Sequence, residues 1–138
     1  MNYHSEIIVD SRERDIKGIL DYFKQNNIPF VRKKLDFGDY STADLKVIIE
    51  RKRVGELAGN LASKDKARFY REFKRAIGYK MIVMVEGSWD DVRQHNYRSS
   101  ISPTDLESRI KTWANHFMFK VEFVPKEDAG EFILKNLT

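Results

Sequence analysis

The run "VIIERKRVGEL", residues 47–57, places a carboxylate and an ammonium two positions apart, at Glu50 and Lys52. Side chains alternate along a strand, so Ile48, Glu50 and Lys52 project to one side of this run while Val47, Ile49 and Arg51 project to the other. A carboxylate beside a lysine at the end of a buried strand can hold a divalent cation while the lysine steadies or deprotonates an attacking water. One carboxylate rarely suffices for Mg2+. Asp39, in the turn "DFGDY", is the natural second ligand, since a turn before a neighbouring strand reaches the same end of a sheet. The bland reading of the same residues is a salt bridge that closes a strand end, and for an isolated triplet it would be preferred.

Such a site needs a sheet to hold it, and the rest of the chain supplies one. "IIVD" at 7–10 reads as a short buried strand, followed by a helix with Ile16, Ile19, Leu20 and Phe23 on one face. Asn26, Asn27 and Pro29 stop that helix, and "FVRKKL" at 30–35 reads as a half-exposed strand leading into the "DFGDY" turn. "KVIIERK" carries apolar residues on both faces, the mark of a central strand. Residues 54–62 and 64–77 read as helices, and "KMIVMVEG" at 80–87 as a second two-sided strand. A further helix begins with Ser102 as N-cap and Pro103 at the first helical position, with Leu106, Ile110, Trp113, Ala114 and Phe117 on one stripe. "KVEFV" is the last strand and "EDAGEFILKNL" the last helix. Strands alternating with helices predict an α/β or α+β sheet with helices packed on it. The stretch 88–101 has no clear period and reads as an irregular loop.

Charge is distributed unevenly. The net charge of the 138 residues is +4, yet residues 64–80 hold seven basic against two acidic residues, a local net of +5 that leaves about −1 for the remainder. At about 100° per residue, Lys64, Arg68, Arg71 and Arg75 fall in a narrow stripe, with Phe69, Phe73, Ala76 and Ile77 on the opposite side. A helix packed by its aromatic face and showing four cations to solvent suits a phosphate backbone, although a lone basic helix is more often a solvated face. His4, His95 and His116 show no ligand spacing; Trp89 is a stacking candidate and Trp113 reads as core.

The length suits one globular domain with a core of its own. The chain has no cysteine, which excludes a disulfide framework, a zinc–thiolate site and a cysteine nucleophile. No leader-like start and no long apolar run is visible, so the expectation is an intracellular protein without a membrane span.

Taken together, these motifs resemble the nuclease domain of the XPF-type structure-selective DNA endonucleases. The family pattern is Gly-Asp, then Glu-Arg-Lys, then Asp after three more residues; here it reads Gly38-Asp39 and Glu50-Arg51-Lys52, with Glu56 in the place of the final Asp. The family's opening Val-Asp-x-Arg-Glu is matched by Val9, Asp10, Ser11, Arg12 and Glu13, its later Glu-Gly by Glu86-Gly87, and the arginine of its basic helix by Arg68. The resemblance runs from Ile7 to Gly87. It implies a restriction-endonuclease-like fold, a central mixed sheet flanked by helices, and Mg2+- or Mn2+-dependent hydrolysis of phosphodiester bonds in branched DNA.

On that resemblance Asp39 and Glu50 are the metal ligands, Lys52 lies beside the water, and Asp10 and Glu13 complete an acidic cluster. "DSRE" equally reads as a D-x-x-E capping box at the start of the first helix. Glu56 is open between a water-mediated metal or lysine contact and an ordinary first-turn residue favoured by the helix dipole. Arg51 is read both as the partner of a structural carboxylate and, with Lys64, Arg68, Arg71 and Arg75, as a DNA-binding cation; Arg32, Lys33, Lys34, Arg93 and Arg98 are further candidates for that track. The domain is expected to stand alone over residues 1–138, without the helix-hairpin-helix module of many family members. A homodimer or a protein partner is expected beside DNA. The rival reading is a non-catalytic DNA-binding module on the same scaffold.

Overall fold

The computed structural model describes residues 6–62 and 66–138. Lys64, the first cation of the predicted stripe, and His4 lie outside them.

Six strands form one mixed sheet: β1 (Ile7–Val9), β2 (Phe30–Arg32), β3 (Tyr40–Ser41), β4 (Val47–Arg53), β5 (Lys80–Glu86) and β6 (Lys120–Val124), in the order β2-β1-β3-β4-β5-β6. β1 runs parallel to β2, and β4, β5 and β6 are mutually parallel, while β3 is antiparallel to both β1 and β4. The helices are α1 (Lys17–Gln25), α2 (Val54–Leu61), α3 (Lys66–Lys74), α4 (Trp89–Arg93), α5 (Pro103–Phe117) and α6 (Ala129–Leu137). This is the expected central sheet flanked by helices.

The two-sided reading of β4 and β5 is borne out by the core, which lies in two layers. Ile48, Met81, Val83 and Val85 pack beneath α2, α3 and α5, against Leu57, Phe69, Phe73, Leu106, Ile110 and Trp113. Ile49, Ile82 and Met84 face the other way, toward Ile19 and Phe23 of α1 and Ile133 of α6. Alternation along a strand thus divides one apolar run between two cores. α1 and α6 meet closely at Gly130, where a Cβ would lie 2.8 Å from that of Tyr22.

α5 begins as the sequence predicts: Ser102 Oγ accepts from the Asp105 N–H, and Pro103 occupies the first turn. Two expectations fail. Residues 88–101 are not irregular throughout: α4 forms there because Ser88 and Asp91 satisfy each other's backbone N–H groups, and five residues are too few to show a period. Ile77 is 63 % exposed rather than packed, because α3 ends at Lys74 and the following turn carries Ile77 off the apolar face.

Candidate active site

Topology brings the predicted acidic residues to one edge. Asp10 follows the carboxyl end of β1, and Glu50 is the central residue of β4, next to Ile49, which pairs with Tyr40 of β3. β3 is antiparallel to both, so its start, where Asp39 sits, falls at the same end. Asp39 is fixed by three backbone contacts: its N–H donates to Ile49 O at 2.8 Å, its carbonyl accepts from the Asp10 N–H at 2.8 Å, and its Oδ2 accepts from the Arg51 N–H at 2.8 Å. The preceding Gly38 has φ +81°, and a Cβ there would come within 2.2 Å of Ile48 Cγ2, so the turn that presents Asp39 needs glycine.

Asp39 and Glu50 both keep free oxygens. Among the described residues Asp39 Oδ1 and both Glu50 oxygens accept no hydrogen bond; Lys52 Nζ stands 3.9 Å from Glu50 Oε1. Burial, then the charge of Glu13, pushes the Asp39 carboxyl up to about 7, against the pull of the Arg51 N–H and Lys52. Burial and Asp39 together raise Glu50 well above its ordinary value. Such a pair is short of positive charge. Among the described residues no three carboxylate or imidazole groups converge on one point. The donor set therefore suits a hard cation that takes two carboxylates and completes its shell with water, as Mg2+ does.

Lys52 is held from two further sides. Its Nζ donates to Asn60 Oδ1 at 3.1 Å and lies 5.4 Å from the centroid of the Phe69 ring. Neither Asn60 nor Phe69 was singled out for this role in the sequence, because their partnership with Lys52 depends on how α2 and α3 fold back over β4.

Asp10 and Glu13 lie beside this pair, and three of their four oxygens accept hydrogen bonds; among the described residues Glu13 Oε1 accepts none. Asp10 accepts from Arg12 Nε at 2.9 Å, from Arg12 Nη2 at 3.2 Å and from the Leu35 N–H at 2.8 Å. Burial raises the Asp10 carboxyl, and these bonds more than offset it, holding it below its ordinary value. Glu13 Oε2 accepts from Tyr40 Oη at 2.7 Å and Arg51 Nε at 2.8 Å. The capping-box reading of this pair is overturned: α1 begins only at Lys17, after Ile16, with no side-chain cap.

Arg51 is turned into the fold. Its side chain is 8 % exposed, and its guanidinium donates to Glu13, to Glu86 Oε1 at 2.7 Å and to the Arg14 carbonyl at 2.9 Å. Burial opposes its charge, but the bonds to Glu13 and Glu86 outweigh that and raise its pKa above the usual guanidinium value. The alternative, a structural carboxylate partner, is the one observed. Glu56 Oε1 accepts from the Arg53 N–H at 3.1 Å and so caps α2 from its first turn.

A cleft of about 570 Å³ joins the site to the basic helix: Asp10, Glu13, Asp39 and Glu50 line it with Arg68, Arg71 and Arg75. Phe69, Phe73 and Ala76 are buried behind these arginines, as the stripe predicts. Lys52 stands beside Glu50, outside the lining. Arg12 also lines the cleft with its side chain 61 % exposed, a cation the sequence reading used only as a motif match. The peripheral candidates separate from it. Arg32 donates to the carbonyls of Ser11 and Glu13, Arg93 pairs with Glu107 at 3.2 Å, and Trp89 packs on Phe123. His95 bonds the Ser99 carbonyl and His116 stacks on Tyr70. No described helix is long and apolar enough to cross a membrane.

A mixed six-stranded sheet flanked by helices is the fold of an XPF-type nuclease domain. The chain matches the ERCC4 domain over residues 9–136 and belongs to that family. Its fold is similar to that of XPF from Aeropyrum pernix (TM-score 0.73, 18 % identity, covering 94 % of this chain and 62 % of that one). It is similar also to the same archaeal XPF in complex with DNA (TM-score 0.75, 17 % identity, 97 % and 64 % coverage). The chain thus spans less than two thirds of the length of those solved chains. No curated protein sequence matches it.

Proposed function

We propose that the chain is a Mg2+- or Mn2+-dependent DNA endonuclease that hydrolyses phosphodiester bonds in branched or structured DNA during repair, recombination or replication. One observation carries the reading: the free carboxylate oxygens of Asp39 and Glu50 open into the same cleft as Arg68, Arg71 and Arg75. Membership of the ERCC4 domain family, and a similar fold solved with DNA, support it.

Asp39 and Glu50 would hold the cation. When bound, the ion polarises a phosphate oxygen and acidifies its water. The chain supplies the rest. The α3 arginines seat phosphates by charge-assisted hydrogen bonds. The Lys52 ammonium, steadied by Asn60 and Phe69, adds positive charge beside Glu50. That charge opposes the negative charge that grows on the phosphoryl oxygens as the water oxygen bonds to phosphorus and the bond to the leaving sugar oxygen breaks. Arg51 pairs with Glu13 and Glu86 and offsets their negative charge beside the two ligands.

The test is cleavage of end-labelled single-stranded, duplex, flap, fork and four-way-junction DNA in Mg2+, Mn2+ or EDTA, by the wild type, Glu50→Ala and Lys52→Ala. Metal-dependent cutting that both variants lose, with DNA affinity retained, is the expected result. Binding without cutting by the wild type in every metal would leave the non-catalytic module in its place.

A further inference from the structure

We propose that Phe37 and Tyr79 form a base-stacking platform at the lip of the cleft, which takes an unpaired nucleotide next to the phosphate seated at Asp39 and Glu50. The assignment of that phosphate rests on the endonuclease reading; the platform itself rests on the following geometry. Phe37 lines the cleft from the turn that presents Asp39. Tyr79, in the turn between α3 and β5, stands against it with ring centroids 4.7 Å apart at 65°. Tyr79 is 44 % exposed and Ile77, two residues before it, 63 %; with Met118, they are the exposed large hydrophobic residues of the described chain. Met118 lies at the far end of α5, whereas Ile77 and Tyr79 adjoin Arg75 and Ala76 of the cleft wall.

An edge-to-face pair covers the face of one ring only, so an exposed aromatic surface remains for a third π-system. Phe37 rests its inner side on the core beneath α3, which Phe69, Phe73 and Trp113 close, while Tyr79 keeps 44 % of its surface in solvent. Its neighbours decide what it takes. Arg71 and Arg75 line the same cleft and complement phosphates, so a ligand that pairs a π-face with a negative backbone satisfies both at once. A nucleic acid strand is such a ligand. Two chain steps, through Gly38, carry Phe37 to Asp39, at most about 7 Å, which corresponds to about two steps of a stacked strand at roughly 3.4 Å each. In a continuous duplex the base faces are covered by one another. The platform therefore favours a nucleotide already released at a fork, flap or single strand, and selects for branches without reading sequence.

The test is equilibrium binding in EDTA, where nothing is cut. The probes are a single-stranded oligonucleotide and a fork carrying 2-aminopurine, and a fully paired duplex of the same sequence. Stacking predicts quenching of the 2-aminopurine by the wild type. It also predicts single-strand and fork affinity about 5- to 150-fold weaker in Tyr79→Ala, the span of one base–aromatic stack. Phe37→Leu should fall in the same direction, Tyr79→Phe should stay near wild type, and duplex affinity should be unchanged in all three. Absence of quenching by the wild type, or equal weakening on duplex and single strand, overturns the platform. Should Tyr79→Ala lose its circular dichroism spectrum, Tyr79→Leu replaces it and the wild-type quenching still decides. Quenching with no cleavage in any metal would remove the nuclease reading and leave the platform standing; cleavage without quenching would do the reverse.

Discussion

The buried guanidinium of Arg51 gives the sharpest test of how the site is built. Its side chain is 8 % exposed and pairs with Glu13 at 2.8 Å and Glu86 at 2.7 Å, themselves 10 % and 6 % exposed. Removing one partner from a buried ion pair costs about 3–5 kcal/mol, because the remaining charge is stranded. Arg51→Ala strands two. The expected loss lies at the upper end of that range, a large share of the roughly 5–15 kcal/mol that holds a domain of this size together. Arg51→Lys keeps the charge but has no fork to span both carboxylates, so it should fall between. Replacing the group as a whole, as Arg51→Met with Glu13→Gln and Glu86→Leu, should recover most of the loss. Urea unfolding followed by circular dichroism measures all three, and fluorescence anisotropy at a temperature where each variant is folded measures DNA affinity. If Arg51→Ala unfolds within about 1 kcal/mol of the wild type yet binds DNA more weakly with a shallower salt dependence, then Arg51 faces phosphate and the account above is wrong.

Three further outcomes follow from the same geometry. In the metal-free protein Asp39 keeps its proton to about pH 7 while the unfolded chain releases it near 3.8. Stability should therefore fall as pH rises through that window, by up to about 1.4 kcal/mol per pH unit for one such group. Mg2+ should restore it above pH 7, and Asp39→Asn should remove the Mg2+ response and reduce the pH dependence to what the buried Glu50 carboxyl contributes; thermal melts in EDTA and in Mg2+ read both directly. Asn60→Ala takes away the acceptor of Lys52 Nζ, so kcat should fall while metal-free DNA affinity and unfolding free energy stay within about 1 kcal/mol of wild type; a change in KM alone would count against a positioning role. Arg68→Ala, Arg71→Ala and Arg75→Ala should each lower the slope of log K against log salt by about 0.9 on duplex DNA, and an unaltered slope in all three would take α3 out of the interface.

Much of this site was legible in sequence because it depends on strand parity. Once "VIIERK" is a two-sided strand, Glu50 and Lys52 must share a face and Arg51 must oppose them, whatever the neighbours are. The Gly38-Asp39 turn was legible for a similar reason, since the glycine and the carboxylate are adjacent in the chain. What could not be read was who claims each charge. "DSRE" has capping spacing, but Leu35 and Arg12 reach Asp10 first, and Leu35 is 25 residues away. Arg51 is basic beside a basic helix, yet its partners come from β5 and from the turn after β1. The same limit applies to Asn60, a single amide on α2 whose use depends on the fold of α2 over β4. Local chemistry was readable, and long-range partnership was not.

The arrangement also shows why a stable sheet keeps two carboxylates in mutual repulsion. Asp39 cannot turn away from Glu50: its N–H is bonded to Ile49 O, the residue before Glu50, and its Oδ2 to the N–H of Arg51, the residue after it. Glu50 cannot turn away either, since Ile48 and Ile49 on either side of β4 are buried in separate cores, and a slip of one residue would exchange their faces. The repulsion that raises both pKa values is therefore held in place by packing that has no other relaxation open to it. Protonation or a cation can relieve it without moving the backbone. Deleting Ile49, with the start of β4 held, would move Arg51 to the cleft face and Glu50 to the opposite face, where Ile49 is now buried, so the position of the strand, more than the identity of any one acid, sets the chemistry of this sheet end.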